Sequence, residues 1–312
     1  MANWSIREGW TLGDAPSLEG RLAIVTGATG GLGYETALGL ARRGATTILA
    51  GRNPAKGQSA IARLQRALPA AQVRFAALDL GSLNSVAAFA ADIAGPVDIL
   101  VNNAGVMGMA TRELTTDSFE RQIGVNYLGH FALTGRLKDR LCAAPGGGRV
   151  VALASLAHRR ATLDVDDLQS ERTYKPMQAY GRSKLAMLIF AIELQRRAVQ
   201  HGWALRSIAA HPGWARTDII ANGPGGGAPR IREQVMMRGF NLLAQSARDG
   251  ALPSLYAAMA PDAKGGQYYG PTGPNETRGA PGPSRISSQA SDPVLAARLW
   301  ALSEQLTGVS YG

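Results

Sequence analysis

The stretch from Leu22 to Gly33 reads LAIVTGATGGLG and decides the fold. Its first five residues form a short apolar run, which predicts a buried parallel strand. The next residues, YETALGLARRG, predict an amphipathic helix that Gly44 closes. A glycine-rich turn between a strand and a helix is typical of dinucleotide binding, because glycine lets backbone approach a pyrophosphate and the helix start offers free N–H groups. The alternative is a purely structural turn. The candidate cofactor-binding residues of this turn are Gly27, Thr29, Gly30, Gly31, Leu32 and Gly33.

Strand and helix patterns alternate along the rest of the chain. Strands are predicted at 46–50, 73–80, 97–101, 148–155, 203–210 and 265–270, and helices at 54–68, 82–93, 116–141, 177–197, 231–245, 251–260 and 292–306. This alternation predicts an α/β protein with one doubly wound, Rossmann-type parallel sheet and helices on both faces. We expect residues 1–312 to form one domain, with a leader at 1–18, a substrate lid at 218–250 and a C-terminal extension at 271–312 that is irregular up to 285.

The tip of the second predicted strand indicates which cofactor binds. NAD-binding sheets usually place a carboxylate here for the ribose hydroxyls, but this strand ends in Gly51-Arg52-Asn53-Pro54 and has no acid. A guanidinium at this place would pair with a 2′-phosphate. We therefore expect NADP(H), with Arg52 and Asn53 among its contacts. The alternative is a loop arginine without a ligand.

Other candidate cofactor residues follow later strands, whose carboxyl ends meet at one edge of a parallel sheet. Asp79, next to Leu80, could accept from an adenine amine or cap the next helix, and the two roles are compatible. The turn containing Asn103, Ala104 and Gly105 has small residues that let a flat ring lie against backbone. A last segment, HPGWART, ends at the same edge and supplies Pro212, Gly213, Trp214 and Thr217.

Four residues are candidates for catalysis. Tyr180 and Lys184 lie at positions i and i+4 of a predicted helix, so their side chains share one face. An ammonium one turn away favours the phenolate and lowers the pKa of a tyrosine towards the working range. The alternative is a surface Tyr and Lys without a role. Ser155 lies at a strand tip, as a turn residue or as a hydroxyl that enters the cleft, and Asn126 lies in mid-helix, where asparagine is a poor helix former.

The motifs TGATGGLG, NNAG, YGRSK and HPGWART occur in one order with Asn126 and Ser155, and in this the chain resembles the short-chain dehydrogenase/reductase family over residues 18 to 306. The glycine turn alone also fits the pattern of the sugar-nucleotide epimerases, but NNAG and the Asn–Ser–Tyr–Lys set favour the short-chain enzymes. VNYLGHFALT, SLAH and RLWALSEQLTGV are similar to the retinol-dehydrogenase-like branch and its bacterial relatives. The long gap between Ser155 and Tyr180 is typical of that branch.

The resemblance implies a role for each catalytic candidate. Tyr180 would protonate the carbonyl oxygen as hydride arrives from the nicotinamide, and Ser155 would orient and polarise that oxygen. Lys184 would lower the pKa of Tyr180 and bind the nicotinamide ribose. Asn126 would kink its helix and hold a water that links Lys184 to solvent. The NNAG turn would lie beside the adenosine ribose, and the segment from Pro212 to Thr217 would hold the nicotinamide amide.

Composition fits a cytoplasmic enzyme. The 312 residues are 46% hydrophobic, with no apolar run that could span a bilayer, no signal-peptide pattern and one cysteine, Cys142, which fits a reducing compartment. The net charge is +10, but the basic residues are scattered, and no DNA-binding motif or zinc-ligand cluster is apparent. We therefore expect a solvated basic surface, no nucleic-acid partner and no metal, although the same field would favour a small anionic ligand.

The predicted function is an NADPH-dependent carbonyl reductase or alcohol dehydrogenase. The predicted lid carries Val235, Met236, Met237, Phe240 and Leu243, which suggests a bulky hydrophobic ketone, aldehyde or secondary alcohol. The alternatives are an NAD-linked alcohol or retinol-type dehydrogenase and a non-catalytic NADP(H)-sensing protein. The resemblance implies a homodimer or homotetramer packed through the helices of Asn126 and Tyr180, unless the C-terminal part covers those faces.

Overall fold

A computed structural model describes residues 9–215 and 244–312, and all eight strands of these residues belong to one sheet. The order is β3-β2-β1-β4-β5-β6-β7-β8; the first seven strands along the chain run parallel, and β8 pairs antiparallel with β7. The doubly wound parallel sheet is therefore confirmed, with one antiparallel strand at its edge. The strands are β1 Leu22–Thr26, β2 Thr46–Gly51, β3 Val73–Ala77, β4 Ile99–Asn102, β5 Gly148–Leu153, β6 Leu205–Ala210, β7 Tyr268–Pro271 and β8 Pro281–Pro283.

Helices cover both faces of the sheet. They are α1 Gly31–Arg42, α2 Pro54–Ala67, α3 Leu83–Asp92, α4 over 121–142, α5 Pro176–His201, α6 Ala247–Met259 and α7 Pro293–Thr307. Short 3-10 turns lie at Leu12–Asp14, Leu156–Arg160, Val165–Asp167, Pro274–Glu276 and Ser288–Ser291. Side-chain oxygens accept from first-turn N–H groups at α2, where Asn53 caps, and at α3, where Ser82 caps.

Two apolar clusters fill the space between the sheet and its helices. One joins α3, α4, α5 and α7 to the sheet, and the other joins α1, α2 and α6 to its opposite face. The central strands β1, β2, β4 and β5 are buried along nearly their whole length, as parallel strands covered on both faces must be. Their carboxyl ends therefore meet at one edge of a rigid layer.

Several boundaries differ from the prediction by two to four residues, among them the end of β5 at Leu153, the end of α5 at His201 and the start of α6 at Ala247, and three further differences have a clear physical reason. β3 ends at Ala77 rather than residue 80, because the Asp79 carboxylate accepts a hydrogen bond from Gly81 N at 2.9 Å and turns the chain out of the sheet. The helix expected from residue 116 begins at Arg121, where the Glu120 carboxylate caps its first N–H groups. The segment expected to be irregular up to residue 285 contains β8, whose prolines are tolerated because it is an edge strand.

The C-terminal helix packs against α4 and α5. Trp300 of α7 stacks on Phe190 of α5 and meets Phe131 of α4 edge-on, with ring centroids 5.9 and 5.1 Å apart. The Tyr127 hydroxyl and the Ser303 hydroxyl form a buried hydrogen bond of 2.6 Å across the same boundary. The chain end follows, and Tyr311 packs on Trp300 at 4.6 Å. The faces of α4 and α5 that point away from the sheet are thus covered by the chain itself.

Candidate active site

A cleft of about 540 Å³ opens at the carboxyl ends of the central strands. It is bounded by the glycine turn, the tip of β2, the residues after β3, the turn after β4 and the start of α4. Thirteen of the predicted cofactor residues line it: Gly27, Thr29, Gly30, Gly31, Leu32, Gly33, Arg52, Asn53, Asp79, Leu80, Asn103, Ala104 and Gly105. Four separate parts of the sequence are therefore brought together as the parallel-sheet prediction required.

The glycine turn packs against the NNAG turn so closely that side chains are excluded. Gly27 has φ +65°, and a Cβ on it would lie 2.9 Å from the Ala104 Cα. A Cβ on Gly33 would lie 2.4 Å from the carbonyl oxygen of Gly27 and 2.4 Å from the Asn103 side-chain nitrogen. That nitrogen donates to the Thr26 carbonyl at 2.7 Å. The glycines therefore serve the packing of two turns, and they also leave the floor of the cleft free of side chains.

The cleft floor is suited to an anion. Gly30 caps α1 and has no side chain to occupy the N–H groups of the first turn, which form the positive end of the helix dipole. Arg52 and Lys56 line the same cleft at the tip of β2. Asp79 carries the only carboxylate among the described lining residues, and it is engaged by Gly81 N. The expectation that Asp79 caps the next helix is wrong, because Ser82 holds that position.

Ser155, Tyr180 and Lys184 lie together beside this cleft. Tyr180 and Lys184 are buried on α5, and the Ser155 side chain forms a hydrogen bond with the Tyr180 side chain. Lys184 Nζ donates to the Leu153 carbonyl oxygen at 2.9 Å and lies 6.0 Å from the centre of the Tyr180 ring. A Cβ on Gly105 would lie 3.5 Å from the same Nζ. The ammonium therefore sits between the phenol and the cleft wall.

Burial dominates the electrostatics of the pair. It lowers the pKa of Lys184 to about 8. It raises the pKa of Tyr180, and the hydrogen bond with Ser155 lowers it in part. We expected Lys184 to bring the pKa of Tyr180 down, but with Nζ bonded to Leu153 the effect of burial prevails in this arrangement. Tyr180 therefore holds its proton at neutral pH, as a general acid for reduction must.

Asn126 lies within a π-helical turn of α4, at Gly124–Leu128, between the α-helical segments Arg121–Ile123 and Gly129–Cys142. Its amide oxygen accepts from Val106 N at 2.7 Å, and its amide nitrogen donates to Val106 O and to Ser183 Oγ, both at 2.9 Å. The expected kink is thus a change of helix type, which is common at functional sites. Asn126 joins the loop that follows NNAG to the helix of Tyr180.

Sequence reasoning missed His130, which connects Asn126 to the glycine turn. His130 Nδ1 donates to the Asn126 carbonyl oxygen at 3.0 Å, so Nε2 accepts from the Thr26 hydroxyl at 2.9 Å. The Thr26 oxygen also accepts from the backbone N–H groups of Asn103 and Ala104, at 2.9 Å each. Burial lowers the pKa of His130 to about 3, which keeps it neutral. Its i+4 spacing from Asn126 was the available signal.

Two further residues that sequence reasoning missed hold the loop at 106–109, which carries apolar side chains into the cleft. Gly108 N donates to Gln122 Oε1 at 2.9 Å, and the Tyr174 hydroxyl donates to the Met109 carbonyl oxygen at 3.2 Å. Met107 and Met109 line the cleft beyond the NNAG turn. Gln122 and Tyr174 therefore fix a thioether-lined wall from two different parts of the chain.

The last group of candidates is only partly described. Pro212, Gly213 and Trp214 follow β6 at the same sheet edge. Gln245 donates twice to this segment, from its backbone N–H to Trp214 O at 2.8 Å and from its side-chain amide to Pro212 O at 2.7 Å. Thr217 and the predicted lid residues Val235, Met236, Met237, Phe240 and Leu243 lie outside the described residues. Residues 247–250 of the predicted lid begin α6, which packs on α1.

Residues 9–215 and 244–312 contain neither a metal-binding cluster nor a membrane-spanning helix. No cluster of three or more His, Cys, Asp or Glu side chains has the proximity that metal binding needs. None of the helices there combines the length and apolarity that crossing a bilayer requires.

Comparisons with known proteins agree on one family. A family model described as short chain dehydrogenase matches residues 21–224. Retinol dehydrogenase 13 from Homo sapiens is 39% identical over 308 residues, which cover 96% of this chain and 89% of that protein. Polyprenol dehydrogenase from Mus musculus is 38% identical over 305 residues, 95% of this chain and 87% of that protein. A solved structure of a Mycobacterium paratuberculosis protein is 41% identical, covers 97% of this chain and 99% of that one, and has a TM-score of 0.80.

Proposed function

The chain belongs to the short-chain dehydrogenase/reductase family, in its retinol-dehydrogenase-like branch, and from this premise we propose that it is an NADPH-dependent reductase of bulky hydrophobic ketones or aldehydes. The observation that carries the proposal is the Ser155–Tyr180–Lys184 group, in which Tyr180 and Lys184 are buried, beside a cleft that holds two cations at the tip of β2. The first feature supports carbonyl chemistry, and the second supports the phosphorylated cofactor.

The cleft fits a dinucleotide by its shape and by its charge. Its floor is backbone, since side chains are excluded at Gly27 and Gly33, and the uncapped start of α1 favours a diphosphate. Arg52 and Lys56 would hold a 2′-phosphate, because no carboxylate stands at this strand tip to bind ribose hydroxyls instead. Lys56, in the first turn of α2, is a second cation of this cleft that the sequence prediction did not include.

The residues of the chain position the carbonyl and supply the proton that its oxygen takes up. When bound, the cofactor supplies a hydride to the carbonyl carbon. The Tyr180 hydroxyl donates its proton to the carbonyl oxygen, and the Ser155 hydroxyl orients and polarises that oxygen through a hydrogen bond. The Lys184 ammonium stabilises the phenolate that Tyr180 becomes, which lowers the barrier to that transfer. Asn126 keeps the helix of Tyr180 in register with the turn after β4.

The substrate class is proposed from the wall of the cleft. Met107, Met109, Val106 and Leu153 give this wall an apolar surface, and Trp214, 41% exposed, lies at the same sheet edge. The names of the relatives, polyprenol and retinol dehydrogenase, refer to long apolar alcohols, whose oxidation is the reverse of the proposed reaction. A cytoplasmic location stays a prediction from the single cysteine.

The cofactor proposal is tested by titrating NADPH and NADH against the wild type, Arg52→Ala and Lys56→Ala. Losing one charge-assisted hydrogen bond of about 1.5–3 kcal/mol should weaken NADPH binding by roughly tenfold to a hundredfold and leave NADH binding unchanged. Arg66→Ala is the matched control, because Arg66 is exposed on the same helix, α2, and does not line the cleft. A wild type that prefers NADH would show that this interpretation of Arg52 is wrong.

The substrate proposal is tested by a carbonyl panel followed through NADPH absorbance. Aryl and long-chain ketones and aldehydes should be reduced with higher kcat/KM than small polar carbonyls such as acetoin. The opposite ranking would contradict the proposal. Retinal and a prenyl aldehyde should be included, since the alcohols named for the relatives are their reduced forms.

We further propose that the protein is a monomer. The faces of α4 and α5 available for helix-to-helix association are covered by α7 and by the chain end, through Trp300 and Tyr311. Light scattering at micromolar concentration should give the mass of one 32.8 kDa chain. A dimer or tetramer would show that another surface associates.

A further inference from the structure

Four polar residues from three separate parts of the chain contact one another next to the turn that follows Ser155. Arg159 lies on the 3-10 turn Leu156–Arg160 that follows Ser155, and His211 lies directly after β6. Glu276 ends the 3-10 turn Pro274–Glu276 between β7 and β8, and Ser284 follows β8. None of the four was a candidate from the sequence, apart from the position of His211 in the HPGWART motif.

The Glu276 carboxylate is the centre of this cluster. Its Oε2 lies 2.5 Å from Arg159 Nη2 and 3.2 Å from His211 Nε2, and it also accepts from the Ser284 hydroxyl. His211 Nδ1 accepts from Gly213 N at 3.1 Å, so the ring proton is on Nε2 and points at Glu276 and Ser284. One partly buried carboxylate thus receives three donors, each from a different segment.

The backbone is held in a rare conformation to bring this carboxylate in. Asn275 and Glu276 are consecutive non-glycine residues with φ of +53° and +57°. Left-handed non-glycine residues are uncommon and persist where the surroundings fix them, often at functional sites. Gly270 of β7 packs flat on His211, since a Cβ there would lie 1.8 Å from Nε2. The β7–β8 hairpin therefore packs directly against the His211 ring.

The cluster contacts two segments that flank the reaction centre, the turn after Ser155 and the segment after β6. On one side, Arg159 is four residues after Ser155, and His158 Nδ1 donates to the Ser155 carbonyl oxygen at 2.7 Å. On the other, His211 and the Thr277 carbonyl hold the segment after β6: Trp214 N donates to Thr277 O at 2.8 Å. Tyr268 of β7 lies between the two sides, with its ring 5.4 Å from His158 and 5.0 Å from His211.

We propose that Glu276 is a positioning residue that fixes Ser155 and the Pro212-Gly213 segment relative to each other, so that carbonyl and nicotinamide are held in reacting geometry. This rests on the proposed function, and it gives the C-terminal extension a part in catalysis. Glu276 touches neither reactant. It acts through Arg159 on the serine side and through His211 on the side of the Pro212-Gly213 segment.

The test compares the two halves of the cofactor in the full-length protein. Glu276→Gln keeps the size of the side chain but replaces the carboxylate by a neutral amide, so Arg159 loses its ion pair and Arg159 and His211 keep at most one weaker, uncharged acceptor oxygen between them. We expect kcat/KM for a reduced carbonyl to fall by about tenfold or more, mainly through kcat, because small displacements at a reaction centre have effects of this size. The dissociation constant of adenosine 2′,5′-bisphosphate, which occupies only the adenosine half, should stay within about twofold.

Two further variants separate positioning from general damage. Asp166→Asn breaks the exposed Asp166–Arg298 pair, which also ties the C-terminal extension to the segment after Ser155, and it should leave all constants unchanged. Ser284→Ala removes one donor and leaves the ion pair, so it should lower kcat less than Glu276→Gln does and in the same direction. It also serves if Glu276→Gln folds poorly.

Different results would contradict the positioning role of Glu276 and the proposed function of the protein. A Glu276→Gln protein with wild-type kcat and wild-type NADPH affinity overturns the positioning role. Equal losses of NADPH and adenosine 2′,5′-bisphosphate binding also overturn it, because they indicate general damage. A wild type that reduces no carbonyl with NADPH contradicts the proposed function. In that case the affinities of Glu276→Gln for NADPH and for adenosine 2′,5′-bisphosphate, compared with those of the wild type, still decide whether the nicotinamide side of the site is affected.

Discussion

Replacing Lys184 by methionine should stabilise the fold and remove part of its pH dependence. Lys184 is 2% exposed, and burial lowers its pKa from 10.5 to about 8. A difference of 2.5 pKa units corresponds to about 3 kcal/mol, which is the free energy by which the buried ammonium destabilises the folded state near neutral pH. Methionine has similar length and no charge, so Lys184→Met should recover up to about 3 kcal/mol. Losing the hydrogen bond to Leu153 O would reduce this gain.

The sign of the pH effect follows from the direction of the shift. Between about pH 8 and about pH 10.5 the unfolded chain holds the lysine proton and the folded chain does not, so the stability of the wild type rises with pH in this window. Integrating the linkage from about pH 7 to about pH 9.5 gives the wild type roughly 2 kcal/mol relative to Lys184→Met. The buried tyrosines are present in both proteins and cancel in the difference.

Urea unfolding followed by tryptophan fluorescence measures this difference at several pH values. Lys184→Met should be the more stable protein near neutral pH, and its advantage should shrink as the pH rises. Lys175→Met is the matched control, because Lys175 is exposed at the start of the same helix, and its difference from wild type should not vary with pH. Parallel pH profiles for the wild type and Lys184→Met would refute the idea that Lys184 is a buried, destabilising cation.

Three further substitutions test separate parts of the structure. Trp300→Ala should destabilise the protein by about 3–5 kcal/mol in urea unfolding, because a buried aromatic is lost between three helices; a loss below about 1 kcal/mol would contradict the covering role of the C-terminal helix. His130→Asn keeps a donor for the Asn126 carbonyl oxygen, whereas His130→Gln keeps a polar group near the Thr26 hydroxyl. If the hydrogen bond to Asn126 matters more for turnover than the one to Thr26, His130→Asn should retain the higher kcat of the two variants. Equal kcat values would contradict this. Gly33→Ala should abolish NADPH binding measured by fluorescence, since its Cβ would meet backbone at 2.4 Å, and binding within threefold of wild type would contradict the close packing of the two turns.

The architecture around the glycine turn was predictable because its signals are local. An apolar run, a turn that only glycines can form and an amphipathic helix follow one another within residues 22–44, and each has its own period or residue type. The parallel sheet then dictated that Arg52, Asn103 and Ser155 approach the same edge. Tyr180 and Lys184 needed only helical spacing. Local sequence pattern and sheet topology were therefore sufficient to predict where these residues lie.

The parts that sequence did not predict depend on contacts between distant residues. Arg159 and Glu276 meet because a short edge hairpin folds back on β6, and neither the proline-rich strand nor the left-handed turn before it has a regular period. His130 shows its role only when its partner Thr26 is placed beside it by the sheet. The pKa of Tyr180 also depended on burial, which the spacing of Tyr180 and Lys184 does not report.

The central claim is that Tyr180 donates the proton in an NADPH-dependent reduction, and one measurement tests it most directly. NADPH consumption with the best carbonyl of the panel should be compared for the wild type and Tyr180→Phe, alongside NADPH binding by each protein. Because the phenylalanine ring keeps the packing and lacks only the hydroxyl, the variant should bind NADPH within about twofold of wild type and lose at least about a hundredfold in kcat. A Tyr180→Phe protein that turns over like the wild type would contradict the account.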